Sequence, residues 1–241
     1  IGAHEWQSES SRRRGVNEVI STFGAAGYGR DYTDLGTWEV DTTYDLVTSA
    51  QSEAVECYRD AASYDFGANG LDVNGATTSA AFRRIVRAAS SARHRGVPGA
   101  GVKFTSTTSV VGNFSLTEAH ASLQDVETHS TFNTSDDRSS AGVGTAGGNL
   151  IANVLARAWN SGSGSGYPLV GWLGAIPSST AIVNCIAYDY DGHGFRVKSS
   201  ASVLCCTAVG GVHGYSGSTH ARVTNCVAQS AATAGVESGT W

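Results

Sequence analysis

The sequence predicts an all-β solenoid, a chain that winds through many copies of one small unit. Residues 178–238 contain three copies, which begin at residues 178, 199 and 218. A repeat of about 20 residues is typical of solenoids. Equivalent apolar positions align in three sets, which are Ile182, Val203 and Val223; Cys185, Cys206 and Cys226; and Ala187, Ala208 and Ala228. One unit cannot bury its own apolar face, so stacking of the copies must bury it.

Each copy is predicted to form strands and turns rather than helices, because its apolar segments are short, β-branched and bounded by Gly, Ser or Asn. Stacked strands place equivalent side chains about 4.8 Å apart. The three aligned cysteines are therefore expected to form an internal column, with Asn184, Cys205 and Asn225 at a bend beside it. A second apolar block follows in each copy at Gly194-Phe195, Gly214-Tyr215 and Gly235-Val236.

Two earlier segments extend the pattern. Residues 120–129 and 149–158 align with the cysteine-bearing strands, and Asp125 and Asn153 take the position of Asn184. Residues 100–238 resemble the right-handed parallel β-helix of the pectin-lyase-like superfamily. The resemblance rests on the repeat length, on the strand pattern N-C-I/V-A and on the later G-F/Y/V strand. This resemblance implies a right-handed parallel β-helix solenoid with an N-terminal arm and cap. It leaves function open, because that fold hosts lyases, hydrolases, phage tailspikes and inert structural proteins.

The amino-acid composition and net charge limit the classes of function that the protein could have. The 241 residues include 30 Gly and 3 Pro, which suits many tight turns, and the net charge of −5 disfavours nucleic acid as a partner. No apolar run approaches 18 residues, so no membrane span is predicted. The chain has no Met and begins with Ile1, which indicates a processed product or part of a longer protein.

The five cysteines are expected to be buried free thiols, with a disulfide inside the column and a metal site as the alternatives. They are Cys57, Cys185, Cys205, Cys206 and Cys226. None has CxxC spacing, and no histidine shares their repeat position. The sequence therefore predicts no metal and no cofactor.

The N-terminal region differs in character from the repeats. Residues 1–30 lack a sustained period and contain the run Arg12–Arg14, so they are interpreted as an extended arm that packs on a neighbour or on the repeats. The alternative is a solvated surface segment. Residues 31–241 are assigned to the β-helix, with a capping segment at about 31–60. A short capping helix between residues 31 and 45 would turn Tyr32, Leu35 and Trp38 inward.

The segments from GRDYTDLGTWE to NGATTSAAFRRI and RHRG resemble the opening of β-helix proteins found in phage and environmental genomes.

Residues 82–89 fit either a helix or a strand, and the repeats around them favour a strand. Gly101-Val102 is interpreted as the first member of the G-F/Y/V series. The segments 133–142 and 160–177 are predicted as long loops. The second is apolar enough to fold over the repeats or to meet another subunit.

Three fragments suggest cleavage of polysaccharides, because glycoside hydrolysis requires a pair of carboxylates. NTSDD (133–137), GHG (192–194) and RVK (196–198) resemble the motifs of polygalacturonase-type hydrolases. The motifs depart from that family, because two of them share one strand and NTSDD fuses two motifs that belong to different turns. A lyase would instead use an Arg or Lys base beside calcium-binding aspartates such as Asp189. The candidate catalytic residues are Asp136, Asp137, Asp191, His193, Arg196 and Lys198. The structural alternative is a turn that leads into the Gly-aromatic strand.

The sequence favours a non-catalytic structural protein on a virus particle surface, either a capsid decoration protein or a tail fibre component. The resemblance to phage β-helices implies a homotrimer whose partners are other capsid or tail proteins. The alternatives are a polysaccharide-cleaving tailspike or secreted depolymerase, and a glycan-binding module. These alternatives add surface polysaccharide as a partner and a secreted or cell-surface location.

Overall fold

The computed structural model describes residues 17–67, 70–106, 113–133, 135, 138–143, 147–170, 180–197, 201–217, 222–229 and 236–237. These residues form an all-β structure with few helices, in which the strands make three parallel sheets.

The first sheet contains, in spatial order, β1 (Asn17–Phe23), β2 (Gln51–Cys57), β5 (Arg84–Ala88), β8 (Ser122–Gln124), β11 (Leu150–Ala152), β14 (Ala181–Val183), β17 (Ser202–Leu204) and β20 (Arg222–Thr224). The second contains β3 (Tyr64–Asp65), β6 (Lys103–Ser106), β9 (Glu127–Phe132), β12 (Leu155–Asn160), β15 (Ile186–Tyr188), β18 (Thr207–Val209) and β21 (Val227–Gln229). The third contains β4 (Leu71–Val73), β7 (Phe114–Leu116), β10 (Arg138–Val143), β13 (Gly166–Val170), β16 (His193–Val197), β19 (His213–Gly217) and β22 (Val236–Glu237).

From β2 onward the chain visits the first, second and third sheets in turn and then returns to the first. We call one such passage a circuit. Each strand pairs in parallel with the equivalent strand of the next circuit, and the inward side chains of all three sheets form one continuous core. This arrangement is compatible with a parallel β-helix.

The predicted register of the repeats is confirmed. Ile182 pairs with Val203 and Val203 with Val223, and the alanine and Gly-aromatic positions align in the same way. The cysteine column is also confirmed, since the Cys206 Sγ lies 3.3 Å from the Cys185 amide nitrogen and the Cys226 Sγ lies 3.3 Å from that of Cys206. All five cysteines are free. Cys57, Cys185 and Cys206 are buried, Cys226 is half-buried and Cys205 is exposed.

The bend between the first and second sheets repeats one backbone conformation. A non-glycine residue with positive φ occupies it in five circuits: Asp125 (62°), Asn153 (53°), Asn184 (51°), Cys205 (54°) and Asn225 (53°). Asn and Asp tolerate this left-handed conformation better than most residues do. Nδ2 of Asn184 donates to Oδ1 of Asn153 at 2.8 Å, and Nδ2 of Asn153 donates to Oδ1 of Asp125 at 3.0 Å. We call these linked side chains the turn ladder.

Cys205 interrupts the turn ladder, because a thiol cannot replace an amide between Asn184 and Asn225. We expect Cys205→Asn to raise the free energy of unfolding by about 0.5–1 kcal/mol through restored side-chain hydrogen bonds. Urea denaturation measures the change. Asn153→Ala is the opposite control and should lower stability by about 1–2 kcal/mol. No gain from Cys205→Asn, together with no loss from Asn153→Ala, would show that the ladder contributes nothing to stability.

The predicted helix between residues 31 and 45 is confirmed. Helix α1 (Leu35–Asp41) begins after Asp34, whose carboxylate accepts from the amides of Gly36 and Thr37, and the short α2 (Leu46–Ser49) follows. Leu35 and Trp38 are fully buried. No helix in the described part of the chain has the length and apolar character that crossing a membrane requires.

Part of the predicted arm lies in the first sheet, where β1 pairs with β2 along its whole length. Residues 1–16, including Arg12–Arg14, lie outside the described residues. The strand prediction for residues 82–89 is confirmed by β5.

Two interpretations of the middle region were wrong. Segments 133–142 and 160–177 are not only loops, because they contain β10 and β13, which pair in parallel with neighbouring strands on both sides. Trp172 and Leu173 lie outside the described residues.

Gly101-Val102 does not begin the G-F/Y/V series either. The Val102 carbonyl oxygen accepts a hydrogen bond from the Glu127 backbone amide, just as the Cys185 carbonyl oxygen accepts one from the Thr207 backbone amide. Val102 therefore occupies the position of the cysteine column.

Candidate functional site

The structure describes half of the predicted catalytic residues. Asp191, His193 and Arg196 are described, whereas Asp136, Asp137 and Lys198 lie outside the described residues. The catalytic roles of Asp136, Asp137 and Lys198 therefore stay predictions.

The Asp191 carboxylate holds a turn of the main chain. Its Oδ1 accepts from the Gly166 amide at 2.7 Å, and its Oδ2 accepts from the Asn160 amide at 3.2 Å. A Cβ at position 166 would lie 2.5 Å from Oδ1, so only glycine allows this approach. The carboxylate thus fixes the connection between β12 and β13.

His193 and Arg196 lie on β16, which begins two residues after Asp191. His193 pairs with His213 of the next circuit, and their rings stack with centroids 4.9 Å apart and planes 14° apart. Phe195 is buried in the core. Val197 is buried in the core as well, so alternation directs Arg196, which lies between Phe195 and Val197, to the outer face.

A second group of titratable side chains gathers on the outer face of the second sheet, where the sequence analysis had not expected one. Glu127 in β9 is fully buried, and its Oε1 accepts from Nε2 of His129 at 2.6 Å and from the Tyr188 hydroxyl at 3.2 Å. The Tyr188 hydroxyl also contacts the same His129 nitrogen. The second Glu127 oxygen accepts from the Gly99 amide at 2.7 Å. We call Glu127, His129 and Tyr188 the outer cluster.

The electrostatics of the outer cluster keep Glu127 ionised. Burial alone would raise its pKa, but hydrogen bonds from His129, Gly99 and Tyr188 outweigh burial and lower it. Burial and the nearby Glu127 carboxylate raise the pKa of Tyr188. Because the carboxylate accepts from Nε2 of His129, that nitrogen carries a proton.

Polar and aromatic side chains adjoin the outer cluster. Arg157 pairs with His129 across the strands, and its Nε donates to Asp189 at 2.5 Å. Trp159, two residues further along β12, is 41% exposed. The sequence offered one signal for this face, because strand alternation at 127–131 places Glu127 and His129 on the same side. It could not show Tyr188 beside them, since that contact depends on the strand register across two circuits.

A cleft of about 210 Å³ lies near the start of α1, lined in part by Phe23, Leu35, Asp34 and Asp65. Its two carboxylates accept from backbone amides, Asp34 at the start of α1 and Asp65 from Gly67. Across the described ranges, no group of three or more His, Cys, Asp or Glu side chains is placed to hold a metal ion.

Comparison with known proteins identifies no relative: no family model, no curated protein and no solved structure matches the chain.

Proposed function

We propose that the protein is a non-catalytic structural protein of a virus particle surface, a capsid decoration protein or a tail fibre component. In this proposal the stacked circuits form a right-handed parallel β-helix, residues 31–60 cap its end, and residues 1–30 form an arm. The protein assembles as a homotrimer with other capsid or tail proteins. The phage-like pattern of the repeats and of the segment around α1 supports this assignment.

The observation that carries the proposal is the role of two carboxylates in the described part of the chain. Asp191 binds two main-chain amides of a turn. Glu127 binds the Gly99 amide together with side chains from β9 and β15. Each carboxylate therefore connects segments of the chain, which is the role of a structural residue.

A second candidate, a glycan-binding protein, is favoured by one observation. Trp159 exposes a broad aromatic face beside the Arg157–Asp189 pair, which offers both donors and acceptors. Exposed aromatic and arginine side chains are frequent anchors of binding surfaces. A structural protein that also binds glycans is compatible with both candidates.

Depolymerisation assays test the first candidate. The chain is incubated with dextran, xyloglucan, alginate and polygalacturonate, and new reducing ends and unsaturated-product absorbance are recorded. We expect neither signal, with a pectate lyase as the positive control. Turnover that disappears in Asp191→Asn or His129→Ala would contradict the proposal and identify the carboxylate or imidazole that acts.

Affinity electrophoresis in gels containing the same polysaccharides tests the second candidate. Retardation of the wild-type chain that is lost in Trp159→Ala and kept in Val209→Ala would support glycan binding, because both side chains are exposed on the second sheet. Equal migration of all three proteins in every gel would leave only the structural role.

A further inference from the structure

One connection between the first and second sheets is far longer than the others. Most circuits make this connection in two residues, such as Asn153-Val154 between β11 and β12, whereas residues 89–102 connect β5 to β6. The amide of Val102 donates to the Ala92 carbonyl at 2.7 Å and closes the base of the excursion. We call residues 93–101 the strap.

The strap lies across the following circuits. Nε of Arg93 pairs with Asp125 at 3.3 Å, and the Gly99 amide donates to Glu127 at 2.7 Å. Nε2 of His94 lies 2.5 Å from the Asn153 carbonyl oxygen. Further along, a Cβ at Gly96 would be 3.6 Å from Cδ1 of Ile186. The strap is thus fastened to two circuits and touches a third.

The strap shields apolar side chains on the outside of the second sheet. Leu155 lies in register between Glu127 and Ile186, is 1% exposed and does not belong to the internal core. Because it faces outward, its burial requires a cover from outside, and the strap lies over this position. Opening the strap would therefore expose Leu155 and Ile186.

His94 is the central fastening of the strap, and it is only 6% exposed. Its Nδ1 accepts from the Gly96 amide at 2.8 Å, while its Nε2 must donate, because the Asn153 partner is a carbonyl oxygen. Both ring nitrogens are thus used, and only the neutral Nε2–H tautomer satisfies both contacts. A proton on Nδ1 would face the Gly96 N–H group and break that hydrogen bond.

Charged residues lie on the strap and on the strands beside it. Arg93 and Arg95 flank His94 on the strap, Arg59 donates to the Ala100 carbonyl, and Lys103 begins β6. The facing acidic groups are Asp125, which pairs with Arg93, and Glu127, which pairs with His129.

We propose that the strap is an acid-released latch: protonation of His94 detaches residues 94–97 and uncovers the apolar surface at Leu155 and Ile186. The Gly99 end stays attached, because its amide donates to the buried Glu127 carboxylate, a contact that does not involve His94. The Ala92–Val102 hydrogen bond keeps the base closed. Release is therefore partial and reversible, and the circuits beneath keep their pairing.

Hydrogen–deuterium exchange of the whole chain tests the latch. Exchange of the Gly96 and Val97 amides, corrected for intrinsic rates, is compared at about pH 7.5 and about pH 5, which bracket the usual titration of histidine. We expect protection to fall about tenfold or more at the lower pH, while β12 amides stay protected. His94→Gln keeps a donor for Asn153 without titrating, so its exchange should not change with pH. His94→Ala should be open at both pH values.

His129→Gln serves as the matched control, since it removes the other histidine near the strap and should leave the pH response of Gly96 intact. Unchanged protection of the wild-type strap between the two pH values would overturn the proposal. An equal pH response in His94→Gln would overturn it as well, because the response would then come from another group.

Discussion

Replacing Arg84 by alanine is expected to lower the free energy of unfolding by about 3–5 kcal/mol, as measured by urea denaturation. Arg84 is fully buried, and its guanidinium pairs with Glu118 at 2.9 Å and with Glu39 at 2.7 Å. It also donates to the carbonyls of Glu39 and Asn74. The variant leaves the buried Glu118 carboxylate without its cation and frees α1 from β5.

The loss of unfolding free energy caused by Arg84→Ala should depend on pH. Burial raises the pKa of Glu118, and Arg84 opposes that increase, so the variant raises this pKa further. A carboxyl group with a raised pKa in the folded chain stabilises fully below its unfolded pKa and loses that contribution as pH rises through the folded value. The deficit relative to wild type should therefore be smaller at about pH 5 than at about pH 7.5.

Arg83→Ala is the matched control, because Arg83 precedes the buried arginine but donates from the surface to the Ala80 carbonyl. Its effect should stay within about 0.5 kcal/mol. A loss below about 1 kcal/mol in Arg84→Ala, equal at both pH values, would show that the buried ion pairs do not fasten α1.

Phe104→Ala is expected to cost about 3–5 kcal/mol of stability, because it removes the centre of an aromatic cluster. Phe104 is fully buried in β6, with ring centroids of Phe66 and Phe114 at 5.1 and 5.0 Å and of Tyr64 at 5.8 Å. The cavity left in the core cannot close, since paired strands hold the surrounding backbone.

Thermal and urea unfolding of Phe104→Ala should be compared with Val40→Ala, whose side chain is 70% exposed and whose loss should cost less than about 0.5 kcal/mol. Similar stabilities of the two variants would mean that the aromatic cluster is not part of the cooperative core.

The sequence predicts the features that depend on local pattern and repetition. The alignment of Cys185, Cys206 and Cys226 is visible because each circuit places the same side chain at the same inward position. The bend at Asn153 and Asn184 is visible because amide side chains recur where the backbone takes positive φ. Helix α1 is also visible, since Leu35 and Trp38 have helical spacing.

The features that sequence reasoning missed depend on contacts between distant segments. β10 lacks a strong apolar pattern and β13 contains Pro168. Both are strands because neighbouring circuits pair with both of their edges. The strap is an insertion whose place is set by His94 reaching Asn153 in a later circuit. Tyr188 meets Glu127 only through sheet register. No single-segment pattern contains these contacts.

Nuclear Overhauser contacts between equivalent positions of successive circuits test the central claim, that the repeats stack in parallel and in register. The account expects amide-to-α-proton contacts linking Ile182 with Val203, Val203 with Val223, and Phe195 with Tyr215, at the strand spacing of about 4.8 Å. Strong contacts between α-protons of strands adjacent in sequence, the mark of antiparallel hairpins, would contradict it.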